Sequence, residues 1–140
     1  MKRTASAHWE GDLKSGKGSL STQSTTLNKT QYSFNTRFEN GPGTNPEELL
    51  AAAHAGCFTM QVGASLGKEG FPATSLDTTA TITLTVEGGP AVTGLHLSLK
   101  GVVPNISEKQ FMEIAKDAEK NCIISRALSV PITSDITFVK

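Results

Sequence analysis

The feature that most constrains this chain is a marked helix start followed by a run of small residues. Gly41-Pro42-Gly43-Thr44 breaks whatever precedes it, and Asn45 then stands before Pro46, Glu47 and Glu48. Asn45 can accept from an orphan amide, Pro46 has the preset φ of a first helical position, and the two carboxylates favour the positive end of the helix dipole. The helix is expected from Pro46 to about Leu66 or Gly67. Ala51, Ala52, Ala53, Ala55, Gly56, Gly63 and Ala64 let neighbouring backbone approach closely around most of its circumference. A helix this apolar all round is normally central and buried. Its longest apolar stretch, Leu49 to Met60, is interrupted by His54 and falls short of the roughly 20 residues that span a bilayer, so no membrane partner is expected.

Around this helix the pattern is one of strands. Ala5 to Asp12, Gly18 to Thr25 and Tyr32 to Glu39 are short, rich in Ser and Thr, and separated by Gly or Asn, which suits an antiparallel meander with an exposed hairpin in the region 14–30. Leu76 to Val86 alternates, with Ala80, Ile82, Leu84 and Val86 facing a core and Thr79, Thr81, Thr83 and Thr85 facing away. Gly88-Gly89-Pro90 turns the chain, and Leu95, Leu97 and Leu99 alternate on the returning strand. Ser107 with Gln110 three residues on is a capping box for a second helix. Phe111, Ile114, Ala115, Ala118 and Cys122 form its core stripe, opposite Lys109, Glu113, Lys116 and Lys120. A short turn or helix through Ser125 to Leu128 follows, and Ile132, Ile136 and Phe138 alternate as a last strand. The order of elements is α+β, not alternating βαβ.

A length of 140 residues fits one domain, 1–140, with enough buried surface to need no disulfide or structural metal. Lys and Arg number 13 and so do Asp and Glu, which argues against nucleic acid as a partner, because such binders need a basic surface. Met1-Lys2-Arg3-Thr4 runs into polar alternation with no apolar region behind it, so a secretory signal is not expected and the protein is read as cytoplasmic. In that reducing compartment Cys57 and Cys122, too far apart in sequence for a C-x-x-C knuckle, read as two free thiols.

Position alone leaves their purpose open. Cys57 lies too deep in its helix for the dipole to activate it, and a buried cysteine often behaves as a small hydrophobe. His54, three residues earlier, is either a base or ligand partner, or a core histidine satisfied by a backbone carbonyl. A metal would need three or four converging ligands, with only His8 and His96 to add, so none is expected. Ser65 and Ser125 lack a nucleophile-elbow context, and Gly16-Lys17-Gly18 lacks the rest of a phosphate loop.

The local sequence narrows this. Residues 44–58, TNPEELLAAAHAGCF, together with 34–39, FNTRFE, closely resemble the signature of the osmotically inducible protein C and organic hydroperoxide resistance family, and its OsmC branch in particular. The resemblance runs from His8-Trp9-Glu10-Gly11 through Cys122 to the terminal strand, with one departure: the family commonly has Pro after its second cysteine, and this chain has Ile123. It implies an OsmC-like fold, with antiparallel sheets packed on a central cysteine-bearing helix plus a second helix, in an intertwined homodimer. It also implies a stress-response thiol peroxidase that reduces organic hydroperoxides without cofactor. Cys57 would be the peroxidatic residue and Cys122 its resolving partner, through a sulfenic acid and a disulfide reopened by an external dithiol of the dihydrolipoyl type. Arg37 and Glu47 carry over as functional residues, the first as the cation that stabilises the thiolate and the second to orient it through a two-point salt bridge. Glu47 precedes Cys57 by ten helical residues, roughly 15 Å at the standard rise, so either a long Arg37 bridges the gap or a partner subunit supplies Glu47; with the intertwined dimer that the resemblance implies, the shared site is the expectation. The competing readings are a stress-induced binding or structural protein whose cysteines are merely packed, and a thiolate metal-binding protein.

Overall fold

Period-2 alternation and turn chemistry decide most of the strands. In the computed structural model, which describes residues 1–139, the chain divides into two compact units, Met1–Leu49 and Leu50–Lys140. In the first, β1 (Ala5–Glu10), β2 (Lys17–Thr22) and β3 (Thr30–Tyr32) form an antiparallel sheet in that order. Gly18 pairs with Trp9 on one side and Tyr32 on the other. The two rings close over it with centroids 5.5 Å apart, so a Cβ at this position would collide with both.

The third meander segment is not a strand to Glu39. After Tyr32 the chain enters a short helix, α1 (Phe34–Phe38). The cause is local: the Ser33 hydroxyl accepts from the Thr36 amide, and the Thr36 hydroxyl accepts from the Ser33 amide. The Phe34 and Phe38 rings, one turn apart, then meet at 4.9 Å. Tyr32, Phe34, Thr36 and Phe38 mimic the period of a strand, and a capping box closed by Thr instead of Glu or Gln overrides it.

Helix α2 (Pro46–Lys68) starts as expected, with Asn45 Oδ1 accepting from the Glu48 amide at 2.8 Å. It is not buried all round. One stripe, His54, Phe58, Val62 and Leu66, is fully buried at i, i+4 spacing, while Ala52, Ala53, Gly56, Met60 and Ala64 are exposed in the single chain. By length and apolarity, 23 residues of this composition would cross a bilayer, but a core helix meets the same criterion, and the buried stripe belongs to the core.

In the second unit β4 (Ser75–Thr85), β5 (Ala91–Val102) and β6 (Ile132–Val139) form a sheet with β5 in the middle. β4 and β5 are antiparallel, whereas β6 joins β5 in parallel, so this sheet is mixed. Parallel pairing needs a crossover, and α3 (Glu108–Asn121) and α4 (Ile123–Ala127) supply it. The Ser107 and Gln110 capping box starts α3. Phe58, Val62 and Leu66 of α2 pack with Leu97 and Leu99 of β5, Phe111, Ala115 and Ala118 of α3, and Cys122 in one core. Gly101 is needed there because a Cβ would strike the Phe111 ring.

Candidate active site

The core stripe of α3 ends at Cys122, which also serves as the N-cap of α4. One residue thus terminates one helix and begins another, and its sulfur is turned inward toward α2. There it meets Cys57: the two Sγ atoms hydrogen bond at 3.0 Å, about 1 Å beyond a disulfide bond length, and both thiols are free. Cys122 is fully buried. Cys57 is half-buried and lines a cavity of about 560 Å³ with Ala53, Met60, Gln61 and Ala64 of α2 and Ile123 and Ile124 of α4. Among these, Met60 and Ile123 are 77% and 72% exposed, so the cavity is an open apolar groove. A solute entering it reaches Cys57 first.

The sulfurs titrate as a pair. Burial, followed by the neighbouring thiol, pushes Cys57 up, and the amides of Ile124 and Ile123 offset only part of this. Burial also opposes ionisation of Cys122. There, however, hydrogen bonds from the Cys57 thiol, the Ser125 hydroxyl and the amides of Ser125 and Ile124 outweigh it, and Cys122 is lowered. Whichever sulfur is ionised accepts from the other, and the first turn of α4 favours Cys122 in that role. The sulfur that lines the groove is thus the one its surroundings push up, and an opposite charge nearby would favour its thiolate.

His54 is fully buried, with Nε2 at 2.7 Å from Ser125 Oγ. Its partner is thus a side chain far along the chain, not the backbone carbonyl that the sequence suggested. Nδ1 has no hydrogen-bond partner among the described residues. Burial lowers the His54 pKa, and the Glu119 carboxylate acts in the opposite direction. No group of three or more His, Cys, Asp or Glu arranged to hold a metal occurs among the described residues.

Arg37 and Glu47 meet within the first unit. Arg37 sits in the last turn of α1, not on a strand, and Glu47 in the first turn of α2. Arg37 Nε donates to both Glu47 oxygens at 3.0 and 3.3 Å, and Nη2 donates to Oε1 at 2.7 Å. This is the two-point geometry expected of the pair, and both members come from one chain. The guanidinium, 43% exposed, keeps donor capacity for another group and lies 5.4 Å from the Phe38 ring centroid. Ser125, which lacks the context of a nucleophile, is instead the partner of His54, and the sign of this in the sequence is its spacing, i+3 from a cysteine at a helix start.

Residues 39–137 match the family profile described as OsmC-like protein. Peroxiredoxin OsmC of Escherichia coli strain K12 is 48% identical over 136 residues, covering 96% of this chain and 95% of that protein. The chain belongs to the OsmC-like family. Peroxiredoxin OsmC of Shigella flexneri matches to the same extent. In three dimensions an OsmC-like protein from Vibrio cholerae superposes with a TM-score of 0.77 at 18% identity, covering 97% of this chain and 99% of that one. Organic hydroperoxide resistance protein OhrB of Bacillus subtilis gives 0.68 at 18% identity, covering 97% and 98%. These two likenesses establish the OsmC-like fold.

Proposed function

We propose that this OsmC-like protein is a peroxiredoxin-type peroxidase that reduces organic hydroperoxides with its two cysteines. One observation carries the reading: two free thiols stand 3.0 Å apart, one facing an apolar groove and the other sealed in the core. That asymmetry suits a division of labour. The Cys57 thiolate attacks the outer peroxide oxygen, the O–O bond breaks, and the alkoxide leaves as an alcohol after taking a proton. Cys57 is left as a sulfenic acid. The Cys122 sulfur then attacks the Cys57 sulfur, the S–O bond breaks, and the hydroxide leaves with the thiol proton as water. An external dithiol, of the dihydrolipoyl type, reopens the disulfide by exchange.

Arg37 is the cation that this scheme assigns to the Cys57 thiolate and to the departing alkoxide, and Glu47 holds its guanidinium plane. The two relatives named Peroxiredoxin OsmC and the structural likeness to an organic hydroperoxide resistance protein support the chemistry. A homodimer in a reducing, cytoplasmic setting completes the reading. The test is consumption of cumene hydroperoxide with a lipoyl-type dithiol, alongside a count of titratable thiols after a peroxide pulse. Turnover with loss of both thiols is expected. Retention of both thiols, with no peroxide consumed, would return the protein to a binding or structural role with packed cysteines.

A further inference from the structure

Four side chains at the cysteine pair make a closed figure, and the scheme above uses two of them. His54 and Cys57 are three residues apart on one face of α2. Cys122 and Ser125 are three residues apart where α4 begins. Sulfur meets sulfur at 3.0 Å on one side, and His54 Nε2 meets Ser125 Oγ at 2.7 Å on the other. The two helices are thus tied twice, side by side.

The second tie adds to a thin anchorage of α4. The helix has five residues, none of them fully buried, and Ile124 is the residue of its first turn that packs against the core, so its own hydrogen bonds and packing hold that turn only weakly. His54 is also an expensive choice for its position. An apolar side chain would fill the same core space without an orphaned Nδ1, so what the imidazole adds is the contact with Ser125.

We propose that His54, acting through Ser125, is the positioning residue for the resolving thiol: the tie fastens the first turn of α4 to α2 and holds Cys122 against Cys57 for disulfide closure. The proton of the neutral imidazole sits on Nε2 and is donated to Ser125 Oγ. The Ser125 hydroxyl is then free to donate toward the Cys122 sulfur, and a bare lone pair on Nδ1 is the only group left unsatisfied. His54 touches none of the reacting atoms. In the closure step the S–S bond forms, the Cys57 S–O bond breaks, and water leaves with the Cys122 proton.

This inference rests on the proposed thiol chemistry, so the test separates the two. His54→Leu, Ser125→Ala, the double variant and His54→Gln are compared with wild type in two measurements. Stopped-flow after a hydroperoxide pulse resolves Cys57 oxidation from disulfide closure. Titration against a dithiothreitol redox buffer reads the thiol pair with no peroxide present. His54→Leu and Ser125→Ala should each slow closure about tenfold while Cys57 oxidation stays within about twofold, and the double variant should be no slower than either single one. His54→Gln restores a donor near the Nε2 position and should recover most of the rate. In the buffer, a tenfold loss of effective concentration appears as a shift of about 30 mV toward easier reduction. Unchanged closure, equal slowing of both steps, additive effects in the double variant, or no recovery by His54→Gln would each overturn the proposal. If His54→Leu fails to fold, Ser125→Ala and His54→Gln decide by the same readings. Wild-type protein that ignores peroxide yet forms the disulfide in buffer would remove the peroxidase reading, and the potentials would still judge the tie.

Discussion

Each cysteine has surroundings suited to only one of the two roles. Cys57 faces the groove but is pushed up by burial and by its neighbour, while Cys122 is lowered but sealed. In the proposed scheme, access therefore selects the attacking sulfur. Cys57→Ser should abolish turnover. Cys122→Ser should permit one reduction per chain and then stall at an oxidised Cys57, measured as alcohol formed per protein without reductant. Full multiple turnover by Cys122→Ser with a dithiol donor would remove the resolving role. The role given to Arg37 yields a second expectation. A thiolate appears as pH rises through its pKa, so removing the cation that the scheme assigns to Cys57 should move its alkylation to higher pH. Arg37→Met should show that shift and lose peroxidase activity far more than stability. An alkylation profile superimposable on wild type would take Arg37 out of the mechanism.

At the scale of elements, the proposed function makes the groove between α2 and α4 the feature that would set which peroxides are favoured. Apart from Gln61, its lining is apolar or small, and burying an alkyl or aryl group there contributes about 25 cal/mol per Å². Cumene hydroperoxide should therefore exceed hydrogen peroxide in kcat/KM. Ile123→Ser, a neutral change on an exposed side chain of the groove, should erase much of that preference while leaving hydrogen peroxide reduction nearly unchanged. Equal constants for the two peroxides in wild type would contradict an apolar approach. The same elements mark how far the sequence could be read. Asn45, Pro46, Ser107 and Gln110 act locally, so both long helices and their starts were legible. Where a non-local choice decided, the sequence was silent: nothing in Ile132, Ile136 and Phe138 says that their strand runs parallel to β5. The small residues of α2 said that backbone could come close, not which faces this chain leaves open. The motif register named Cys57, Cys122, Arg37 and Glu47, and the structure brings Cys57 to Cys122 and Arg37 to Glu47. The contact of His54 with Ser125 depends on a fold-level approach that no local pattern encodes.

At the scale of the whole molecule, the proposed mechanism can be served in two ways, by an Arg37–Glu47 pair acting on the Cys57 of its own chain or on that of a second copy. The pair itself is assembled within one chain by three hydrogen bonds, so it acts as a unit. Ten helical residues separate Glu47 from its own Cys57, an axial step of roughly 15 Å with the side chains about 80° apart around the axis. A salt-bridged guanidinium has little freedom to reach along that length. A second copy avoids the difficulty, since the exposed Ala52 and Gly56, outside the groove lining, let another backbone approach α2 closely across a two-fold axis. Mixing separately inactive Glu47→Ala and Cys57→Ser chains tests this directly. If the pair serves the partner's cysteine, each heterodimer contains one site with wild-type Arg37, Glu47 and Cys57 together, and activity should return to about a quarter of wild type, because random pairing makes half the dimers mixed. If the pair serves its own chain, no heterodimer holds an intact site and activity stays at the level of the parents. Absence of recovery, with heterodimers verified by differential tagging, would sink the shared-site arrangement while leaving the two-cysteine chemistry untouched.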